Sequence, residues 1–138
     1  AIGQSSIGKI LVGVSEKGVC TVILGQTDPE LMDELKESFP FSRLVPPDAA
    51  TKKLLAKVIQ CVEDPHKEID FVLDESGTPF QKKVWAAVRS IPPGKTASYA
   101  DVAAKINAPK AFRAVAGACR SNKFAIITPC HRVIRSDG

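Results

Sequence analysis

At Asp74-Glu75-Ser76-Gly77 the chain changes character, and that change sets what it can fold into. Residues 1–76 carry eight Lys and Arg against thirteen Asp and Glu, a net of −5, whereas residues 77–138 carry eleven against two, a net of +9. The apolar pattern changes at the same place. Ahead of it, short β-branched runs mix with helical spacing. Beyond it, the pattern is mainly helical and broken by proline and glycine. The expectation is an acidic, structural subdomain over 1–76, a linker at 74–77 and a basic second subdomain over 77–138. A length of 138 residues with 44% apolar content suffices for one compact domain or two small subdomains. No apolar run approaches the length of a membrane span.

In the acidic half, Ile7–Val14 and Val19–Leu24 are rich in Ile, Val and Leu, and Ser15-Glu16-Lys17-Gly18 between them predicts a hairpin. Asp28-Pro29-Glu30 opens a helix with Leu31, Met32 and Leu35 at helical spacing, ending near Phe39-Pro40. A second helix is predicted over 48–62, with Leu54, Leu55, Val58 and Ile59 as its apolar stripe, and a further strand over 69–73. The class is therefore α+β, with a small, mainly antiparallel sheet. No catalytic constellation occurs here.

In the basic half, Thr78-Pro79-Phe80-Gln81 has the form of a helix start: Thr as cap, Pro at the first helical position and Gln three residues after the cap. Phe80, Val84, Trp85 and Val88 give the buried face, and Pro92-Pro93-Gly94 ends the segment. Ser98 and Asp101 are placed to cap a second helix reciprocally. Val102, Ala103 and Ile106 face inward, Asn107-Ala108-Pro109-Lys110 is a short turn, and 111–120 is a third helix. Two short helices about a tight turn in a basic segment predict a helix-turn-helix. The third helix has almost no side-chain bulk at Ala111, Ala114, Ala116, Gly117 and Ala118. Small residues permit close packing of helices. They also permit close approach to a minor groove only about 6 Å wide, with the arginine Arg113 near the helix start placed to reach into it.

Near the end stands Thr128-Pro129-Cys130-His131-Arg132-Val133-Ile134-Arg135-Ser136. A thiol attacks as thiolate, and nearby His or Arg charge favours that form. As strand neighbours, Cys130 and His131 would point to opposite faces. The cysteines are Cys20, Cys61, Cys119 and Cys130, none in a C-x-x-C pair, with only His66 and His131 as histidines. That set makes a poor zinc site and predicts free thiols in a cytoplasmic protein, Cys119 as core packing.

Pro129-Cys130-His131-Arg132-Val133 resembles the active-site signature of the O6-alkylguanine-DNA alkyltransferases, also called methylated-DNA–protein-cysteine methyltransferases. The likeness continues through Ser98-Tyr99, Pro109-Lys110-Ala111, Arg113-Ala114-Val115 and Asn122, covering roughly 78–138. The resemblance implies an α+β N-terminal subdomain and a helical second subdomain containing the helix-turn-helix. It implies irreversible, single-turnover transfer of an alkyl group from O6-alkylguanine, and from O4-alkylthymine, in duplex DNA to Cys130 after base flipping, with no metal or organic cofactor. His131 would help deprotonate Cys130, and Tyr99 would donate to the leaving guanine and displace a phosphate. Asn122 would bond backbone between the recognition helix and the active-site strand. The Val133 carbonyl would accept from the guanine amine. Arg113 would replace the flipped base, with Lys110, Ala111, Ala114 and Arg120 along the DNA. Arg132 and Arg135 would be structural. The partner is double-stranded DNA carrying the lesion, without membrane, and the protein a monomer, with a fusion to another domain in view.

The chain begins at Ala1, and Met32 is its only methionine, so it is expected to be a fragment or processed product. Ser136-Asp137-Gly138 has turn composition. The resemblance places a Gly-Tyr loop that closes the pocket, and a helix whose glutamate orients the histidine, after this point, so transfer by these residues alone is expected to be weakened. Three other readings stay open. A lesion-binding protein without transfer would share the groove helix but lack the acceptor cysteine, unless truncation disables it. A transcription regulator would carry long polar side chains on its recognition helix. A Cys–His hydrolase would need an orienting third residue and an oxyanion hole.

Overall fold

The computed structural model describes residues 1–135, and its elements are β1 (Ile2–Ser5), β2 (Gly8–Ser15), β3 (Gly18–Gly25), α1 (Asp28–Ser38), α2 (Ala49–Glu63), α3 (Pro79–Arg89), β4 (Ala97–Ser98), α4 (Tyr99–Lys105), α5 (Phe112–Arg120), a 3₁₀ turn (Cys130–Arg132) and β5 (Val133–Ile134). The class is α+β, as the pattern of runs and periods implies. Two compact units form: Ala1–Asp74 with Lys123–Ala125, and Glu75–Asn122 with the chain from Ile126 on.

The first unit is built on an antiparallel sheet in the order β1-β2-β3. Its register explains its layers. Ile2, Leu11 and Ile23 are cross-strand partners and pack with Leu31, Met32 and Leu35, so α1 covers that face. Gly3 pairs with Ile10 on the other face, and a Cβ on Gly3 would meet Ile59 and Leu55, so α2 covers that one. Consecutive β2 residues Ile10, Leu11 and Val12 are consequently all buried. Gly18 closes the β2–β3 turn with φ +144, and an added Cβ would lie 2.5 Å from the Val72 carbonyl oxygen, so only glycine fits.

Two expectations need correction here, and one strand lies outside the sequence reading. β1 pairs with β2, although its sequence gave no strand signal. The strand expected over 69–73 reduces to a single bridge between Leu73 and Val19. Lys123–Ala125, assigned from sequence to the basic half, belong to the first unit: Val22 donates its N–H to Lys123 O at 2.8 Å, and Ala125 donates to Val22 O at 2.9 Å. These segments satisfy polar groups along the outer edge of β3, which would otherwise be open to pairing.

The second unit is mainly helical. Thr78 and Gln81 form a reciprocal capping box at α3, and Ser98 and Asp101 another at α4. Val84, Val88, Val102, Ala103, Val115, Ala118 and Val133 make its core. Trp85 is buried, and its Nε1–H donates to Ala118 O at 2.8 Å, tying α3 to the last turn of α5. After α4 the chain turns at Asn107 in left-handed geometry, φ 62, and enters α5. α5 starts at Phe112, and Ala111 at its cap position has no side chain to offer the free N–H groups. Among the described residues, no helix is long and apolar enough to cross a membrane. The turn composition at Ser136–Gly138 lies outside the described residues.

Candidate active site

Two short strands set the site. β4 and β5 pair in parallel, Ala97 with Val133 and Ser98 with Ile134. The pairing places Tyr99, the first residue of α4, beside the chain that follows Cys130. Tyr99, Cys119 and Cys130 are each half-buried and pack against the same core cluster of the second unit.

Cys130 is not on a strand, as expected from sequence, but opens the 3₁₀ turn. The turn forms because Arg132 N–H donates to Pro129 O at 2.9 Å, while Cys130 N–H donates back to Thr128 O at 2.8 Å. Strand alternation therefore does not govern Cys130 and His131. Cys130 is half-buried and His131 exposed. Val133 is buried at the start of β5, and Arg132 Nη1 donates to Ile91 O at 2.8 Å, a structural tie.

Thr128, buried two residues before the cysteine, is the node that holds this turn. Its carbonyl accepts from Asn122 Nδ2 at 3.0 Å as well as from Cys130 N–H. Its hydroxyl accepts from Arg89 Nη1 at 3.0 Å. Arg89 is itself paired with Glu75 at 2.8 Å, both side chains mostly buried. Ile126, at the re-entry of the chain into this unit, has φ 67, strained for a β-branched residue. Asn122 follows α5 with negative φ; among the described residues Asn107 and Ile126 are the non-glycine positions with positive φ.

The electrostatics centre on two thiols. The side chains of Cys119 and Cys130 are hydrogen-bonded to each other. That bond, then burial, then the negative charge of a Cys119 thiolate, push the Cys130 thiol far up, while a hydrogen bond from Asn122 acts the other way. Cys119 is pulled down, first by the bond from Cys130 and further by the Arg120 charge, with burial opposing. His131 lies below the ordinary histidine range, through burial and then the charge of Arg132, so its imidazole is neutral at neutral pH. A neutral base beside a reluctant thiol suits deprotonation during attack rather than a standing thiolate.

Along α5, Arg113, Ala114 and Arg120 are exposed, Lys110 is exposed ahead of it, and Ala111 is half-buried. Gly117 is not there for internal packing: a Cβ would meet only Arg120 Nη2, at 3.7 Å. Among the described residues, no group of three or more His, Cys, Asp or Glu side chains is placed to hold a metal ion.

Two features escaped the sequence. Cys119 packs on the core, but it also bonds Cys130; its phase with Val115 marks an inward position, while its partner comes from a distant turn. The Arg89–Thr128 contact spans 39 residues and leaves no local signal.

A family model described as "6-O-methylguanine DNA methyltransferase, DNA binding domain" matches residues 79–138. The chain is 44% identical over 138 residues to the "Bifunctional transcriptional activator/DNA repair enzyme Ada" of Escherichia coli, covering all of this chain and 39% of that protein. It thus spans about two fifths of the length of that relative. To the "Methylated-DNA--protein-cysteine methyltransferase, inducible" of Bacillus subtilis it is 39% identical over 137 residues, covering 99% of this chain and 72% of that protein. Among solved structures it is similar to Mycobacterium tuberculosis OGT in complex with DNA, with TM-score 0.74 and 32% identity over 99% of this chain and 78% of that one. Identity sustained across both units and most of the Bacillus protein, together with the shared fold around Pro129-Cys130-His131-Arg132, makes this chain a member of the methylated-DNA–protein-cysteine methyltransferase family.

Proposed function

We propose that this chain repairs alkylated DNA by direct reversal, taking the alkyl group of O6-alkylguanine, and of O4-alkylthymine, onto Cys130 in one irreversible turnover. The observation that carries this reading is the convergence of Tyr99 and Cys130 on one core patch through the β4–β5 pairing. The lesion is flipped from duplex DNA toward that patch. The Cys130 sulfur bonds to the alkyl carbon as the carbon–O6 bond breaks. The electron pair remains on the base, which takes up a proton with Tyr99 as donor. The thiol proton passes to the neutral His131 through solvent. The Val133 carbonyl accepts from the guanine amine, and Asn122 holds the turn through Thr128. The product thioether has no route back, so each molecule accepts one group.

The exposed face of α5 supports a minor-groove role. Glycine inside a helix costs about 1 kcal/mol relative to alanine. Nothing around Gly117 needs the space, so a groove wall is the natural occupant. Arg113 fills the gap left by the flipped base, and Lys110 and Arg120 meet phosphates. Ala111 and Ala114 allow the approach, with α4 and α5 acting as a helix-turn-helix. The protein acts as a monomer in the cytoplasm, as one part of a longer chain.

Labelled-methyl transfer from duplex DNA tests the reading. The wild-type protein is expected to accept one equivalent and then stop. Cys130→Ala is expected to accept none while retaining duplex binding. Repeated turnover, or transfer by Cys130→Ala, would overturn it. Binding without transfer by the wild-type chain would favour the lesion-binding reading.

A further inference from the structure

We propose that Cys119 and Cys130 form a reversible disulfide that protects the acceptor sulfur from irreversible oxidation and suspends alkyl transfer until it is reduced. The inference rests on the reading of Cys130 as acceptor.

The two cysteines come from different elements, the last turn of α5 and the 3₁₀ turn, yet they pack on the same core cluster. Each thiol shifts the proton affinity of the other, which marks the two as interacting neighbours on that cluster. Both are half-buried and both are free, so a small oxidant has access. Bond formation requires the sulfurs to close to about 2.05 Å. Cys130 sits on a short 3₁₀ turn rather than inside a long element, so its position can adjust more readily than that of a residue within a helix.

The oxidant is a hydroperoxide. The pair loses its first proton from Cys119, which the Cys130 thiol and the Arg120 charge both favour. The Cys119 thiolate attacks the peroxide oxygen, the O–O bond breaks, and Cys119 becomes a sulfenic acid as one water or alcohol leaves. The Cys130 sulfur then attacks the Cys119 sulfur, the S–S bond forms, and a second water leaves carrying the Cys130 proton. Two thiols are oxidised by two electrons and the peroxide is reduced by two. A dithiol reductant reverses the bond by exchange. Without Cys119, oxidation of Cys130 proceeds along the ladder to sulfinic acid, which such reductants do not reverse.

The test treats the folded chain with hydrogen peroxide and maps peptides without reduction. The expected product is a Cys119–Cys130 linked peptide two hydrogens lighter than its parts. Its formation should be unaffected in Cys20→Ser and Cys61→Ser and absent in Cys119→Ser. After reductant, methyl-accepting capacity should return in the wild type. In Cys119→Ser it should remain about tenfold below that of the untreated variant, with sulfinic acid mapped at Cys130. Absence of the linked peptide in the wild type would overturn the proposal, and so would equal recovery in Cys119→Ser. Peptide mapping does not depend on alkyl transfer. A linked peptide in a chain that never accepts methyl groups, oxidised or not, would sink the transferase reading alone.

Discussion

At the residue scale, Thr128 ties the turn that carries Cys130 to Arg89 and Asn122. Arg89 reaches the Thr128 hydroxyl while paired with the mostly buried Glu75. Arg89→Met would leave that carboxylate without its partner, and removing one member of a buried pair costs about 3 kcal/mol. Thr128→Val keeps the ion pair and removes one acceptor, which costs about 1 kcal/mol. Urea unfolding should therefore rank Arg89→Met well below Thr128→Val. Equal stabilities would show that Glu75 is readily solvated in the variant. The pH dependence of transfer follows from His131. Its pKa is lowered, and in the proposed mechanism the neutral imidazole is the form that accepts the thiol proton. Transfer should persist as pH falls through about 6.5, the ordinary histidine value, and decline only below it. His131→Gln should lose that acid limb along with most of the rate. An acid limb above 6.5 in single-turnover kinetics would contradict the assignment. Cys130 and His131 stand out in the sequence because one short motif carries them, and Tyr99 because the resemblance extends to Ser98-Tyr99. Thr128 and Cys119 do not, because their roles come from contacts that the fold creates.

At the element scale, α5 keeps a glycine where its own stability would prefer another residue. Gly117→Ala should stabilise the protein by about 1 kcal/mol, since the site has room and the helix gains propensity. Gly117→Leu should fold as well, yet bind duplex DNA at least about tenfold more weakly, a loss near 1.4 kcal/mol. Thermal unfolding and duplex titration separate the two effects. Unchanged affinity in Gly117→Leu would remove α5 from the groove. Helix starts are legible in the sequence because caps are local: Thr78 with Gln81 and Ser98 with Asp101 cap as their spacing implies, while Asp48, read from sequence as the first residue of its helix, is the cap ahead of α2. β4 and β5 are not legible. Each has two residues, and each exists only because the other lies beside it. The same holds for the lone bridge at Leu73, whose apolar run has strand composition but little to pair with.

At the scale of the whole molecule, the change in charge near residue 76 marks two kinds of structure, a layered α/β unit and a helical one. The helical unit holds every residue proposed for chemistry and for DNA. The excursion of Lys123–Ala125 into the first unit is invisible in composition, because a three-residue edge pairing needs no pattern of its own. The chain returns to the helical unit at Ile126, which has φ 67. The central claim is that this fold presents Cys130 as an alkyl acceptor. Intact-protein mass spectrometry after incubation with duplex DNA containing O6-methylguanine, followed by peptide mapping, tests it most directly. The account predicts a gain of one methyl group, located on Cys130. A methyl group on Cys119 or elsewhere would contradict it, as would no gain by the chain both alone and extended beyond Gly138.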